Sequence, residues 1–410
     1  MSVIEQTTLV YVAARENSNK FYRLELHSDG TVLKQWGRVG TAGQQQTITG
    51  GSNRYHATIS EKERKGYRRV DTSTARAAVP AAEVATAATT ALRADASDTR
   101  VTDLIERIAK RNRHDIEALS GGRISATSSG VSTALGPITP GSLDRARRLL
   151  TRLELAVRQS APHVALLEEY LTLVPQKVSG KAGWEHDFLS TPTKIAAQWS
   201  LLGALGSAFV VHLNPTAQPS FRYSISRLED RREVERVSAL FARTRNDRHR
   251  GTRDLRIKAV YVLTDTTERQ QAYGRRAAMI GGEQQLWHGT AAANVLSILA
   301  GGLVVPRSAS HGRMFGNGVY LAEQSSKATG YAGTGVWGNG GVDEDHFVFL
   351  ADVALGRTLR PATREEALRA CGGDAYDSIV VAGGTCGVRN SETIVWDTEQ
   401  INLRYLVELA

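Results

Sequence analysis

Only two of the 410 residues are cysteine, Cys371 and Cys386, and nowhere do Cys and His fall at zinc-site spacing. Two thiols are too few for a disulfide framework, so a stapled secreted fold, a thiol mechanism and a bound metal are all disfavoured. Long apolar runs are missing as well. No stretch approaches the roughly 18 consecutive apolar residues that span a bilayer, and no basic start followed by an apolar run of about 7–15 residues marks a leader. The expectation is an intracellular protein with no membrane partner. No repeat of roughly 20–50 residues occurs, which excludes a solenoid or propeller.

Positive charge is what the chain has in excess. Its 51 Lys and Arg against 42 Asp and Glu give a formal net charge of +9. Such an excess draws polyanions such as nucleic acid, and is also an ordinary route to solubility. With 41% hydrophobic residues and about 100–200 residues per domain, the length allows two to four cores.

Residues 1–75 alternate apolar and polar side chains over Leu9–Ala13, Phe21–His27 and Thr31–Trp36, with Asn17-Ser18-Asn19 and Ser28-Asp29-Gly30 between them. Asp-Gly tolerates the positive φ of a tight hairpin turn, so a small antiparallel sheet is expected, closed by a helix near His56–Lys65. An Ala- and Thr-rich stretch, residues 76–98, reads as a linker. Residues 99–215 carry helical periodicity instead. Leu104, Ile105 and Ile108 form one apolar stripe, and Leu143, Ala146, Leu149, Leu150, Leu153 and Val157 another. Thr139-Pro140 supplies an N-cap and a first-turn residue. Further helices are expected at Val164–Leu173 and Thr193–Leu205, making this block an all-α bundle. Residues 216–410 switch to short strands with Gly-rich turns (Leu255–Leu263, Glu283–His288, Gly318–Ala322, His346–Leu355, Ser378–Ala382, Thr393–Trp396) and helices at Asp230–Arg243, Ala292–Ala300 and Ser325–Tyr331. The fold class is multidomain α+β with mostly antiparallel sheets.

Three segments of the last block draw attention. In Leu286-Trp287-His288-Gly289-Thr290, a glycine at a strand end lets backbone approach a ligand. Gly312-Arg313-Met314-Phe315-Gly316-Asn317-Gly318-Val319-Tyr320 joins a Gly-rich turn to a strand, and Ser325-Ser326-Lys327-Ala328-Thr329-Gly330-Tyr331 follows as a helix. In Asn390-Ser391-Glu392-Thr393-Ile394-Val395, a carboxylate opens a β-prone run. Taken one at a time, each has an ordinary explanation: a structural histidine, core tyrosines, a solvated glutamate.

In this order and together, the segments resemble the catalytic domain of poly(ADP-ribose) polymerases over nearly its whole length, through to Gln400-Ile401-Asn402-Leu403-Arg404-Tyr405-Leu406. The resemblance implies an enzyme that consumes NAD as substrate and needs no metal, with Glu392, His288 and Tyr320 as its chemical core. Glu392 would bond the nicotinamide ribose, stabilise its oxocarbenium-like centre and polarise the acceptor. His288 and Asn294 would hold the adenosine ribose. The Gly289 backbone would bond the carboxamide, Tyr331 would stack on the nicotinamide and Tyr320 would pack beside it. Thr290, Lys327 and Ala328 complete the NAD-binding set; Met314, Lys327 and Glu392 face the acceptor. One departure is Ala328, where the family usually has a serine that bonds the carboxamide, which implies weaker NAD binding. The connection from Leu355 to Glu392 is also short. Val304 stands where many members have a basic residue, with Arg307 a substitute.

Trp36-Gly37-Arg38-Val39-Gly40, with Gly43-Gln44 and Lys65-Gly66-Tyr67, resembles the WGR domain. By that resemblance Trp36, Gly37 and Arg38, with Lys34 and Arg54, bind DNA strand breaks carrying a 5′ phosphate. The 11 Lys and Arg against 7 Asp and Glu in residues 1–75 suit phosphate contact. A structural Trp36 and a surface Arg38 are the ordinary alternative. Val101–Ile105, Leu135-Gly136-Pro137-Ile138 and Tyr170–Pro175 resemble the helical regulatory domain of DNA-dependent members. The implied function is DNA-damage-dependent ADP-ribosylation of protein acceptors, the chain itself included, with polymer formation. A mono-ADP-ribosyltransferase, a modifier of nucleic-acid ends and a non-catalytic DNA-end scaffold stay open beside it.

Overall fold

The computed structural model describes residues 2–70, 98–120, 124–127, 130–133, 136–212, 222–246, 248–305, 314–333 and 345–410. The linker at 76–98 lies outside these residues except for Asp98, and Leu135, Arg307, Gly312 and Arg313 lie outside them too. The chain divides into two compact units, residues 1–81 with 113–212 and residues 82–112 with 213–410.

The first unit opens with an antiparallel sheet of β1 (Val3–Ala13), β2 (Ser18–His27), β3 (Thr31–Arg38), β4 (Gln44–Thr49) and β5 (Arg68–Arg69), in the order β4-β3-β2-β1-β5. The Asp29-Gly30 turn forms as expected, with Gly30 at φ 78°. Helix α1 (Gly51–Arg64) closes one face and buries Tyr55 and Ile59 against Leu9, Leu24 and Val32. It starts five residues before the expected His56.

Helix α2 (Thr99–Leu119) buries Leu104, Ile105 and Ile108, and its residues 99–112 count with the second unit. In the first unit, α3 (Pro140–Arg158) begins at the expected cap: Thr139 Oγ1 accepts from the Ser142 backbone N–H at 3.1 Å. After it come α4 (Val164–Leu173), α5 (Trp184–Phe188) and α6 (Pro192–His212). This block is not all-α. A three-stranded antiparallel sheet, β6 (Ile124–Thr127), β7 (Gly130–Thr133) and β8 (Gly136–Pro137), stands between α2 and α3. Its Ser, Thr and Gly residues offer no apolar stripe to bury as a helix, and they suit hairpins instead. Among the described residues no helix is long and apolar enough to cross a membrane.

The second unit is built on two sheets. The larger runs β11 (Glu283–Thr290), β13 (His346–Ala354), β17 (Ile401–Leu409), β10 (Ile257–Thr264) and β9 (Ser224–Arg227), antiparallel throughout. The smaller runs β12 (Val319–Leu321), β16 (Glu392–Val395), β15 (Ser378–Val381) and β14 (Thr358–Leu359), with β14 and β15 parallel. Trp287 bridges the two sheets through Ala322. Helices α7 (Arg231–Arg243), α8 (Thr267–Ile280), α9 (Val295–Gly301), α10 (Ser325–Thr329) and α11 (Arg364–Ala370) pack around them. Asp230 caps α7 by accepting from the N–H groups of Arg232 and Glu233, an ordinary helix-start device.

Candidate active site

Four chain segments meet where the two sheets join. At Trp287 the backbone N–H and C=O of β11 point to the edge away from β13: the N–H donates to the Ala322 carbonyl and the carbonyl accepts from Ala322 N–H, each at 2.8 Å. Hydrogen-bonding direction alternates along a strand, so the N–H and C=O of Gly289 face that same outer edge. Gly289 cannot be another residue here, since a Cβ would lie 1.7 Å from the Ala328 carbonyl oxygen.

His288 Nδ1 stands 3.0 Å from the Tyr320 carbonyl oxygen. A carbonyl only accepts, so Nδ1 carries the proton and Nε2 offers its lone pair when the ring is neutral. Burial pushes the imidazole below its ordinary value of 6.5, with the Tyr320 carbonyl acting in the opposite sense. The Tyr320 hydroxyl is committed to the turn before it: it accepts from Phe315 N–H at 2.9 Å and donates to the Gly316 carbonyl at 3.0 Å. Tyr320 thus braces the Met314–Gly316 turn. Met314 is held in that turn, its carbonyl accepting from Arg364 Nε at 2.9 Å.

Helix α10 is buried at all five positions. Ser325 fixes it by donating its hydroxyl proton to the Phe241 carbonyl at 2.7 Å. Ala328 is 2% exposed and packs with Trp287, Ala322 and Ala332. The Lys327 ammonium lies 2.9 Å from Glu392 Oε1 and donates to the Ser391 carbonyl at 2.7 Å. Burial pushes the Lys327 amine down, and Glu392 draws it back up. Glu392 opens β16 opposite Val381. Tyr331 is half-exposed, and its phenol is pushed up to about 12 by its packed surroundings and then by the Glu392 carboxylate. Further along β11, Thr290 Oγ1 accepts from Asn294 Nδ2 at 3.2 Å. The carbonyl of Ala293, beside Asn294, accepts from Asn112 Nδ2 at 3.0 Å. Among the described residues no three His, Cys, Asp or Glu side chains gather closely enough to hold a metal.

The motif residues therefore come together: His288 with Tyr320, Gly289 with Ala328, Lys327 with Glu392, Tyr331 near Glu392. Sequence reasoning missed Asn246 and His249, which bond Ser326 and Asn390 on either side of this group. They lie in a turn-rich stretch that carries no motif and gives no signal of its own.

In the first unit, Trp36 stacks on Tyr22 with ring centres 5.9 Å apart, and Lys34 Nζ lies 5.9 Å from the Trp36 ring centre. A Cβ at Gly37 would lie 2.8 Å from Gly43 Cα, so this crossing demands a glycine. Arg54 is exposed on α1. Arg38 points elsewhere: its guanidinium donates to the Asn17 carbonyl at 2.8 Å, Asn17 Oδ1 at 2.9 Å and the Ser179 carbonyl at 3.2 Å.

The family model of the poly(ADP-ribose) polymerase catalytic domain matches residues 231–410, and that of the WGR domain matches residues 5–74. Similar proteins include poly(ADP-ribose) polymerase 1 of Caenorhabditis elegans, 27% identical over 39% of this chain and 20% of the relative. Protein mono-ADP-ribosyltransferase PARP3 of Mus musculus is 34% identical over 29% of this chain and 20% of the relative. Poly(ADP-ribose) polymerase 2-B of Oryza sativa subsp. japonica is 24% identical over 83% of this chain and 56% of the relative. The chain thus spans a fifth of the length of the first two relatives and 56% of the third. The chain thus carries a poly(ADP-ribose) polymerase catalytic domain over residues 231–410, with a WGR domain ahead of it over residues 5–74.

Proposed function

We propose that this protein cleaves nicotinamide from NAD and transfers ADP-ribose to protein acceptors, itself included, extending the product into chains when DNA breaks engage its WGR domain. The observation that carries the reading is the Lys327–Glu392 pair, 2.9 Å apart and joined through α10 to the glycine edge of β11. A carboxylate there suits the positive charge that develops on the ribose as nicotinamide leaves. The outward backbone groups of Gly289 suit a carboxamide, and a neutral His288 suits a ribose hydroxyl, which donates to Nε2. Tyr331 supplies a ring for the nicotinamide, and Asn294 a contact for the adenosine ribose. On the WGR side, Trp36, Lys34 and Arg54 take the DNA end with its 5′ phosphate, and the helical segment restrains catalysis until they do. Domain order supports that regulation. Net positive charge supports the DNA contact.

The test is incubation of the purified protein with labelled NAD, with and without nicked or blunt 5′-phosphorylated DNA, beside Glu392→Gln. DNA-stimulated labelling of protein that the variant loses is the expected result. Absence of nicotinamide release under every condition would overturn the reading in favour of a DNA-end scaffold. A single added unit per site would replace polymer formation with mono-ADP-ribosylation.

A further inference from the structure

His249 lies between α7 and β10, outside every motif, yet it touches both segments that carry the reactive pair. Its Nδ1 is 2.8 Å from Ser326 Oγ and its Nε2 is 3.1 Å from Asn390 Oδ1. Ser326 Oγ also accepts from the Asn246 backbone N–H at 2.9 Å. All three contacts are satisfied together: Asn246 N–H donates to Ser326 Oγ, the Ser326 hydroxyl pairs with Nδ1, and Nε2–H donates to the Asn390 carbonyl oxygen, which only accepts.

Ser326 directly precedes Lys327, and Asn390 stands two residues before Glu392. Helix α10 and the start of β16 are thus tied twice. The direct tie runs through Lys327 to Ser391 and Glu392, but a lysine is a flexible four-carbon stem that follows its partner wherever that partner moves. The second tie is a planar ring with a nitrogen on each side, and it sets the spacing between the two segments.

We propose that His249 is a positioning residue for this reaction: it spaces Asn390 from Ser326 and so fixes where Glu392 stands against NAD. The inference rests on the reading of Glu392 as the group at the reacting ribose. Because His249 acts through Glu392, it weighs equally on every reaction that uses Glu392, whatever the acceptor. A side chain that merely touched the acceptor would affect transfer to that acceptor alone.

The experiment compares the wild-type protein with His249→Ala, His249→Gln and Ser326→Ala. It measures NAD hydrolysis with water as acceptor, label transfer to protein, KM for NAD and the melting temperature. His249→Ala is expected to lower both rates by a common factor of about ten or more, with KM for NAD changed less than about twofold, as misplacement of a catalytic group does. His249→Gln, whose side-chain amide still donates towards Asn390, is expected to recover most of the rate. Adding Ser326→Ala to His249→Ala is expected to cost little more, since both break one chain. Loss of protein transfer with hydrolysis intact would overturn the proposal in favour of acceptor contact. Unchanged rates would overturn it outright, as would a glutamine variant no better than alanine. An active wild-type protein is required for either result, so a wild type that releases no nicotinamide would instead sink the transferase reading on which this one rests.

Discussion

Lys327 donates from one ammonium to two neighbours, the Glu392 carboxylate at 2.9 Å and the Ser391 carbonyl at 2.7 Å, with 8% of its own side chain exposed. Such a buried cation is sustained by its partners, and the partners in turn are held by it. Lys327→Met keeps the length of the side chain and removes the charge. The carboxylate then loses its counter-charge. The rate of nicotinamide release at neutral pH is expected to fall about ten- to a hundredfold through loss of electrostatic organisation. A rate of nicotinamide release equal to that of the wild type would show that the pair has no part in the chemistry.

His288 gives a pH dependence with a defined sign. Its folded value is lowered from 6.5 by burial. Between the two values the unfolded chain takes up a proton that the folded chain refuses. The stability it contributes is therefore complete above 6.5 and is lost as pH falls through the folded value. Melting temperatures measured from pH 8 to pH 5 are expected to fall more steeply for the wild type than for His288→Asn. Over the same window KM for NAD is expected to rise, because protonation removes the lone pair on Nε2. Parallel melting curves for the two proteins would remove His288 as the cause.

Much of the site was legible because its chemistry is local in sequence. His288 and Gly289 are adjacent, Lys327, Ala328 and Tyr331 share one turn-and-helix segment, and Glu392 opens its own strand. The Thr139-Pro140 cap and the Asp29-Gly30 turn were readable for the same reason. What escaped notice depends on distant partners or on weak pattern. The two ring contacts of His249 reach across 77 and 141 residues. Strand β4 is Gln-Gln-Gln-Thr-Ile-Thr at a sheet edge, with one apolar residue to signal it. Helix α8 buries just Ala272 and Ala277 and has Gly274 in its middle, so neither stripe nor propensity announces it. Tyr320 shows another limit: the sequence suggests a ring in the site, while its hydroxyl serves the Phe315–Gly316 backbone.

Ala328 is expected to weaken the grip on NAD, because a serine hydroxyl there would bond the nicotinamide carboxamide. Ala328→Ser should tighten both NAD and a nicotinamide-mimicking inhibitor by about 2- to 10-fold, the value of one neutral hydrogen bond of about 0.5–1.5 kcal/mol. Calorimetric titration of the inhibitor checks this directly. The site is tight, with Trp287 and Ala332 packed in the same cluster. Should both affinities stay put, the hydroxyl has turned back to a helix carbonyl, a common habit of serine within helices, and the alanine is not a determinant of affinity.

The WGR motif splits into two roles that mutation can separate. Arg38 makes three hydrogen bonds, two to Asn17 and one to the Ser179 carbonyl, so it joins the β1–β2 hairpin to the segment after α4. Trp36 is stacked on one side by Tyr22, and Lys34 stands by its ring. Arg38→Ala removes charged donors from three oxygens of the protein itself. It is expected to lower stability by about 1–3 kcal/mol with or without DNA present. Trp36→Ala removes a stacking surface. It is expected to weaken binding of a 5′-phosphorylated DNA end by about 1–3 kcal/mol, the value of one base–aromatic contact, and to reduce DNA-stimulated labelling. Lys34→Ala should lower DNA affinity more evenly across sequences and make it less sensitive to salt, as loss of one phosphate contact does. Thermal melting and fluorescence anisotropy with a labelled DNA end, run on all three variants, read both effects. If Arg38→Ala melts like the wild type yet loses DNA and its salt dependence, the guanidinium leaves its internal partners for phosphate, and Arg38 belongs with Trp36 and Lys34 in binding DNA.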